Sequence, residues 1–166
     1  MDAILRRRSV RRFTDADVSE EAVEKILSAA MAAPSAGNQQ PWQFIVVREA
    51  GARKKVSECS PYARASAEAP VAIVVCGDLS LETHQGYWMQ DCSAAVENML
   101  IEVTSQGLGA VWLGVFPRQD RVDNLKKYFS LPEHIVPFAI IPVGHPEQDL
   151  PPANRFNKAR IHHERW

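Results

Sequence analysis

Val71-Ala72-Ile73-Val74-Val75-Cys76 is six apolar residues without interruption, flanked by Pro70 and Gly77. A run this short, rich in β-branched side chains and bounded by turn formers, reads as a strand buried on both faces. A strand covered on both faces needs helices above and below it, and the neighbouring segments supply them. Downstream, Cys92, Ala95, Val96, Met99, Leu100 and Val103 keep helical spacing within 87–106, and Gly107 sits where a helix C′ residue belongs. Upstream, Ala22, Val23, Ile26, Leu27, Ala30 and Ala33 do the same in a helix that starts at Ser19 and stops at Pro34. Further strands are expected at 42–47, 110–113 and 136–143. Helices are expected at 2–8 with Asp2 as cap, at 52–59, 62–68 and 120–129. The pattern predicts an α+β domain in α/β/α layers, with one mixed sheet flanked by helices.

The chain has 166 residues, suited to one domain, with 46% hydrophobic residues and a formal net charge of -1. No apolar run approaches the length of a membrane span. The start Met-Asp-Ala-Ile-Leu-Arg has no apolar signal segment, so a cytoplasmic location is expected. Three cysteines, Cys59, Cys76 and Cys92, show no paired spacing, which argues against a disulfide framework or a zinc site. From residue 146 onward the composition turns polar and proline-rich, yet Ile161 and Trp166 close it. An extended tail that docks on a partner subunit is expected there.

Three stretches suggest chemistry. Arg6 to Phe13 holds five arginines and Ser9 in eight residues. Guanidiniums so dense repel one another unless an anion lies among them, and their planar fork matches phosphate bidentately. A solvated helix end is the plain alternative. A nucleic-acid patch is disfavoured by the sequence pI of about 6.5. Next, Ala33 to Trp42 is a loop with the Ser35 hydroxyl and three side-chain amides, Asn38, Gln39 and Gln40. Amides donate and accept at once, which suits a heterocycle edge of alternating carbonyl and imino groups. Finally, Gly107-Leu108-Gly109-Ala110-Val111-Trp112-Leu113-Gly114 fails as a dinucleotide fingerprint. Trp112 occupies the position of the last glycine, and the run follows a helix rather than a strand.

Taken together, Arg7-Arg8-Ser9-Val10-Arg11-Arg12-Phe13, Pro34-Ser35-Ala36-Gly37-Asn38-Gln39-Gln40-Pro41-Trp42 and Gly107 to Gly114 resemble the three motifs of the FMN-dependent nitroreductase family, in the form of its short members. The resemblance implies an intertwined homodimer with FMN at the subunit interface. It implies that Arg7, Ser9 and Arg11 hold the phosphate, with Arg8 near the pyrimidine edge or ribityl chain and Arg155 returning from the tail. Ala153 stands where the family often has a lysine. Pro34, Ser35, Ala36, Asn38 and Gln40 are implied to reach the flavin from the other subunit. Leu113 and Gly114 are implied to lie near flavin N5. Gly114-Val115 replaces the Glu-Gly pair of longer members, and Gln90 and Asp91 are the nearest matches for their lysine and asparagine on the long helix.

The implied activity is ping-pong hydride transfer from NADH or NADPH, through flavin N5, to a nitroaromatic, quinone or similar small acceptor. No catalytic side chain, metal, nucleic acid or membrane is expected. Flavin fragmentation, reductive dehalogenation and non-enzymatic FMN binding are the alternatives within this scaffold.

Overall fold

The computed structural model describes residues 2–166. In chain order its elements are α1 (Asp2–Arg6), α2 (Glu20–Met31), β1 (Trp42–Val47), α3 (Ala50–Ser57), α4 (Ala65–Glu68) and β2 (Val71–Asp78). The long helix α5 (Trp88–Ser105) follows, then β3 (Gly109–Ala110), β4 (Leu113–Gly114), α6 (Gln119–Phe129) and β5 (Ile135–Gly144).

The sheet runs β1-β2-β5-β3, with β4 also pairing β5. Every pairing between named strands is antiparallel. A parallel element enters through the bridge Ser9↔Ala110, which lays the arginine segment along β3. All eight residues of β2 are buried, as its unbroken apolar run implies. Val71, Ile73 and Val75 face α2 and α5, together with Val23, Ile26, Val96 and Met99. Ala72, Val74 and Cys76 face α3 and α6, together with Val56, Val122 and Leu125. Alternate side chains of one strand thus build two cores, giving helix, sheet and helix layers.

Local chemistry explains the helix ends. Ser19 is the N-cap of α2, and its side chain accepts from the Ala22 N–H. Beyond α5, Gly107 adopts φ 73°, Leu108 N–H donates to Val103 C=O at 2.9 Å and Gly107 N–H to Thr104 C=O at 3.1 Å. That pair of bonds is the Schellman arrangement.

The expected boundaries change in five places. α1 ends at Arg6 instead of Arg8, because residues 7–13 leave the helix to run beside β3, and Asp2 lies in its first turn, paired with Arg6 at 3.0 Å. The strand expected at 110–113 splits in two, with Val111 and Trp112 outside the ladder. α2 ends at Met31, before Pro34, and α3 begins at Ala50, where the Glu49 carboxylate accepts from the Gly51 and Ala52 N–H groups. The helix expected at 62–68 is confined to Ala65–Glu68.

Candidate functional site

The arginine segment is held from both sides. Val10 N–H donates to Ala110 C=O at 2.9 Å, and the Val10 side chain lies 2.8 Å from where a Cβ on Gly109 would stand. Gly109 is therefore required by this close approach, which accounts for it without a dinucleotide. On the other side the tail begins as an antiparallel partner. Thr14 N–H donates to His145 C=O at 2.9 Å and Glu147 N–H to Arg12 C=O at 3.1 Å. Between them a cavity of about 300 Å³ is lined by Arg8, Ser9, Val10, Arg11, Arg12, Gln148 and Leu150.

The five arginines have distinct surroundings. Arg6 pairs with Asp2 and Arg12 with Glu147, the latter at 2.6 Å. Arg7 packs against α5, its side chain 17% exposed and 3.6 Å from Glu97. Arg8 donates to the Pro151 carbonyl. Arg11 is exposed and has no carboxylate partner among the described residues. The structure thus gathers Arg8, Ser9 and Arg11 on one concavity. Arg7 lies outside its lining, and Arg155 is exposed in the tail and does not line it either.

The 34–41 loop is a second constructed feature. Asn38 and Gln40 hold φ of 58° and 47°, and Gly37 of 54°. Left-handed backbone at two non-glycine residues costs energy and persists only where surrounding contacts enforce it. Asp91 and Gln39 provide that enforcement. Asp91 is 4% exposed. One of its oxygens accepts from Ala36 N–H at 2.9 Å and the other from the Gln39 amide at 2.6 Å. The Gln39 carbonyl in turn accepts from Thr83 and His84 N–H at 3.0 and 2.9 Å. Ser35 Oγ accepts from Gln40 N–H, and the Gln40 amide donates to Asn38. The His84 ring lies so close to Gly37 that any Cβ there would collide with it. Pro34, Asn38 and Gln40 remain exposed, while Ser35 and Ala36 are half-buried.

Asp91 and Gln39 are thus supports of this loop, a role the sequence alone did not disclose. A carboxylate in the first turn of a helix has an ordinary dipole explanation. The partners of Asp91 lie 52 and 55 residues away, beyond any local pattern. Gln90, beside it, is exposed.

Leu113 is buried in the α3–α6 core, so only its backbone is available to a ligand. Gly114 is exposed, with nothing within 4 Å of the Cβ position. Its carbonyl accepts from Arg121 at 2.8 Å.

All three thiols are buried, and burial pushes them up to about 11 for Cys59 and about 12 for Cys76 and Cys92. Protonated at neutral pH, they are poor nucleophiles. Among the described residues no group of three or more His, Cys, Asp or Glu side chains could hold a metal ion, and no helix is long and apolar enough to cross a membrane.

A Methanothermobacter thermautotrophicus protein provisionally named NADH dehydrogenase/NAD(P)H nitroreductase is 48% identical over 166 residues, covering 100% of this chain and 87% of that protein. The crystal structure of a Clostridium acetobutylicum protein provisionally named NADH oxidase superposes with a TM-score of 0.97 at 45% identity, covering 99% of this chain and 100% of the other. A provisionally named nitroreductase from Desulfovibrio desulfuricans, solved in complex with FMN, matches with a TM-score of 0.87 at 34% identity over 99% of this chain and 96% of its own. The nitroreductase-like fold is therefore shared, and the family model described as "Nitroreductase family" matches residues 4–60 and 58–145. The chain belongs to the Nitroreductase family.

Proposed function

We propose that this protein is an FMN-dependent NAD(P)H oxidoreductase that acts as a homodimer and reduces a nitroaromatic, quinone or similar small acceptor. The carrying observation is the cavity bounded by Arg8, Ser9, Arg11 and Arg12 in a family with an FMN-bound relative. Its donor set fits the cofactor. A phosphate monoester carries roughly -1.5 to -2 charge, and guanidiniums beside a hydroxyl neutralise and orient it.

The 34–41 loop fits the opposite end of the same ligand. Asn38 and Gln40 present amide groups suited to the pyrimidine edge, and Asp91 and Gln39 hold the backbone that presents them. Donors aimed at the N1–C2 edge favour the negative charge that reduction places there. The loop is fastened at the N-terminal end of α5, whereas Thr104, Gly107 and Leu108 near its C-terminal end border a cavity with Arg6 and Arg8. A second copy that lays its own 34–41 loop against the arginine segment completes the site. Gly114 leaves open space where a side chain would stand, which lets a flat ring approach its backbone.

When bound, FMN would supply the redox chemistry, taking hydride from the pyridine nucleotide and giving it to the acceptor in separate half-reactions. The chain's part is to bind, orient and bias it electrostatically. Arg7, leaning on Glu97, supports the positive field from outside the cavity, and Arg155 in the tail is the remaining cation available to the phosphate.

The test is a visible absorption spectrum of protein incubated with FMN and desalted, recorded before and after anaerobic NADH or NADPH. Retained flavin bands that bleach with either nucleotide are expected. Retained bands that neither nucleotide bleaches would make the protein an FMN carrier. Failure to retain FMN removes the cofactor assignment.

A further inference from the structure

Arg121 stands in the first turn of α6, where a cation opposes the helix dipole. The helix itself therefore gives no reason for an arginine at this position. An ion pair gives none either, because Arg121 forms no salt bridge among the described residues. The nearby carboxylates are occupied elsewhere or do not reach it. Asp123 accepts from the Gln119 amide at 2.8 Å, Glu68 pairs with Arg64 at 2.6 Å, and Asp120, its chain neighbour, makes no ion pair with it.

Two contacts fix where its charge sits. One guanidinium N–H donates to the Gly114 carbonyl at 2.8 Å, and the ring of Tyr62 lies 5.8 Å from the guanidinium carbon. A carbonyl on one side and an aromatic face on the other hold the group without neutralising it. Gly114 is also the residue with open space at its Cβ position, whose backbone a flat ring is proposed to approach. The permanent charge of Arg121 is thus tied to the backbone of that same residue. Arg121 is half-buried, so water screens its charge less than that of a fully exposed arginine. The arginine segment differs in this respect, since the phosphate proposed to lie there takes up its charge. A fixed cation favours whichever form of a bound ring is more negative, and for a flavin that is the reduced form.

We propose that Arg121, held by the Gly114 carbonyl and the Tyr62 ring, raises the reduction potential of the FMN bound at Gly114. The inference rests on the flavin function proposed above. It gives a chain with no catalytic side chain a means of favouring hydride uptake, through one charge supplied by α6 and steadied by the turn before α4.

The midpoint potential of the FMN-loaded protein, measured by dye equilibration without pyridine nucleotide or acceptor, tests it apart from turnover. Arg121→Gln keeps an N–H donor for the Gly114 carbonyl and removes the charge. Its affinity for FMN is expected to fall about tenfold for the reduced form and to stay level for the oxidised form, whose ring is neutral. For a two-electron couple that is a midpoint lower by about 30 mV. Arg121→Lys keeps the charge and is expected to keep most of the parent potential, and thermal unfolding of both variants is expected to match the parent. Equal potentials in the parent and Arg121→Gln overturn the inference. An equal fall in the Gln and Lys variants also overturns it, because the arginine would then act only as a brace between β4 and α6. A parent that retains no FMN defeats the flavin function and this inference with it. A yellow parent bleached by NADH, whose potential does not respond to Arg121→Gln, keeps the function and loses only the role of Arg121.

Discussion

At the scale of single residues, Asp91 governs the candidate site without facing it. Its two oxygens satisfy a backbone N–H and an amide that would otherwise be half-buried without partners. Asp91→Ala strands both donors, and each costs about 1–3 kcal/mol when left unpaired away from water. The expected loss is on the order of 2–6 kcal/mol from that sum, with a fall in FMN affinity because Asn38 and Gln40 lose the support for their left-handed backbone. Asp91→Asn is expected to be nearly as damaging, since one face of its amide must present a donor to Gln39 or Ala36, which are donors themselves. Thermal unfolding and FMN titration check both variants, and an Asp91→Ala protein that binds FMN normally would show that the loop holds its shape unaided. Gly37→Ala attacks the same loop from the other side by driving a methyl into His84. Density of charge made the arginines visible in the sequence, and density of amides did the same for 38–40. Asp91 stayed hidden because its type and place are ordinary and only its distant partners are informative.

Among the elements, β2 was the most legible, since burial on both faces erases the polar alternation and leaves a plain apolar run. α5 was legible from its stripe and its glycine stop. The pair β3 and β4 was not, because two residues each carry too little pattern to show where Val111 and Trp112 leave the ladder. Nor does an apolar run state whether its neighbours run parallel or antiparallel. Burial of β2 and α5 in the two cores has a measurable consequence at high pH. Cys76 and Cys92 are pushed up to about 12 from a usual 9.0. An unfolded chain ionises these thiols first, so their contribution is intact below pH 9 and is lost as pH rises toward 12. At one unit above the ordinary value each thiol costs on the order of 1.4 kcal/mol. Denaturant midpoints measured from pH 8 to 10.5 should fall, and the fall should shrink in Cys92→Ala relative to the parent. A slope identical in the two proteins would place its origin in other groups. At the other end of the fold, Ser19→Ala is expected to cost about 1 kcal/mol by leaving the Ala22 N–H without its cap.

At the scale of the whole molecule, the proposed homodimer has a candidate seam in the exposed apolar side chains of both chain ends. Ile4 and Leu5 on α1, and Phe156, Ile161 and Trp166 in the tail, are all exposed, Trp166 fully so. The family model ends at residue 145, yet the Clostridium acetobutylicum structure superposes over 99% of this chain, and the first residues of the tail pair with the arginine segment. A chain that carries Phe156, Ile161 and Trp166 outward gains about 1.5–3 kcal/mol for each side chain that finds an apolar partner. A second copy of α1 with its Ile4 and Leu5 is the surface on this molecule that suits them. Removal of residues 151–166 tests this. Gln148 and Leu150 remain to line the cavity, while the Pro151 carbonyl that accepts from Arg8, Arg155 and the three apolar side chains are lost. Sedimentation at micromolar concentration is then expected to show monomer in place of dimer, and FMN binding should weaken because the loop from the second copy, Arg155 and the Pro151 contact of Arg8 are all gone. If the truncated protein remains a dimer with unchanged flavin affinity, the tail is a passenger and the association must run through α1 and α5 alone.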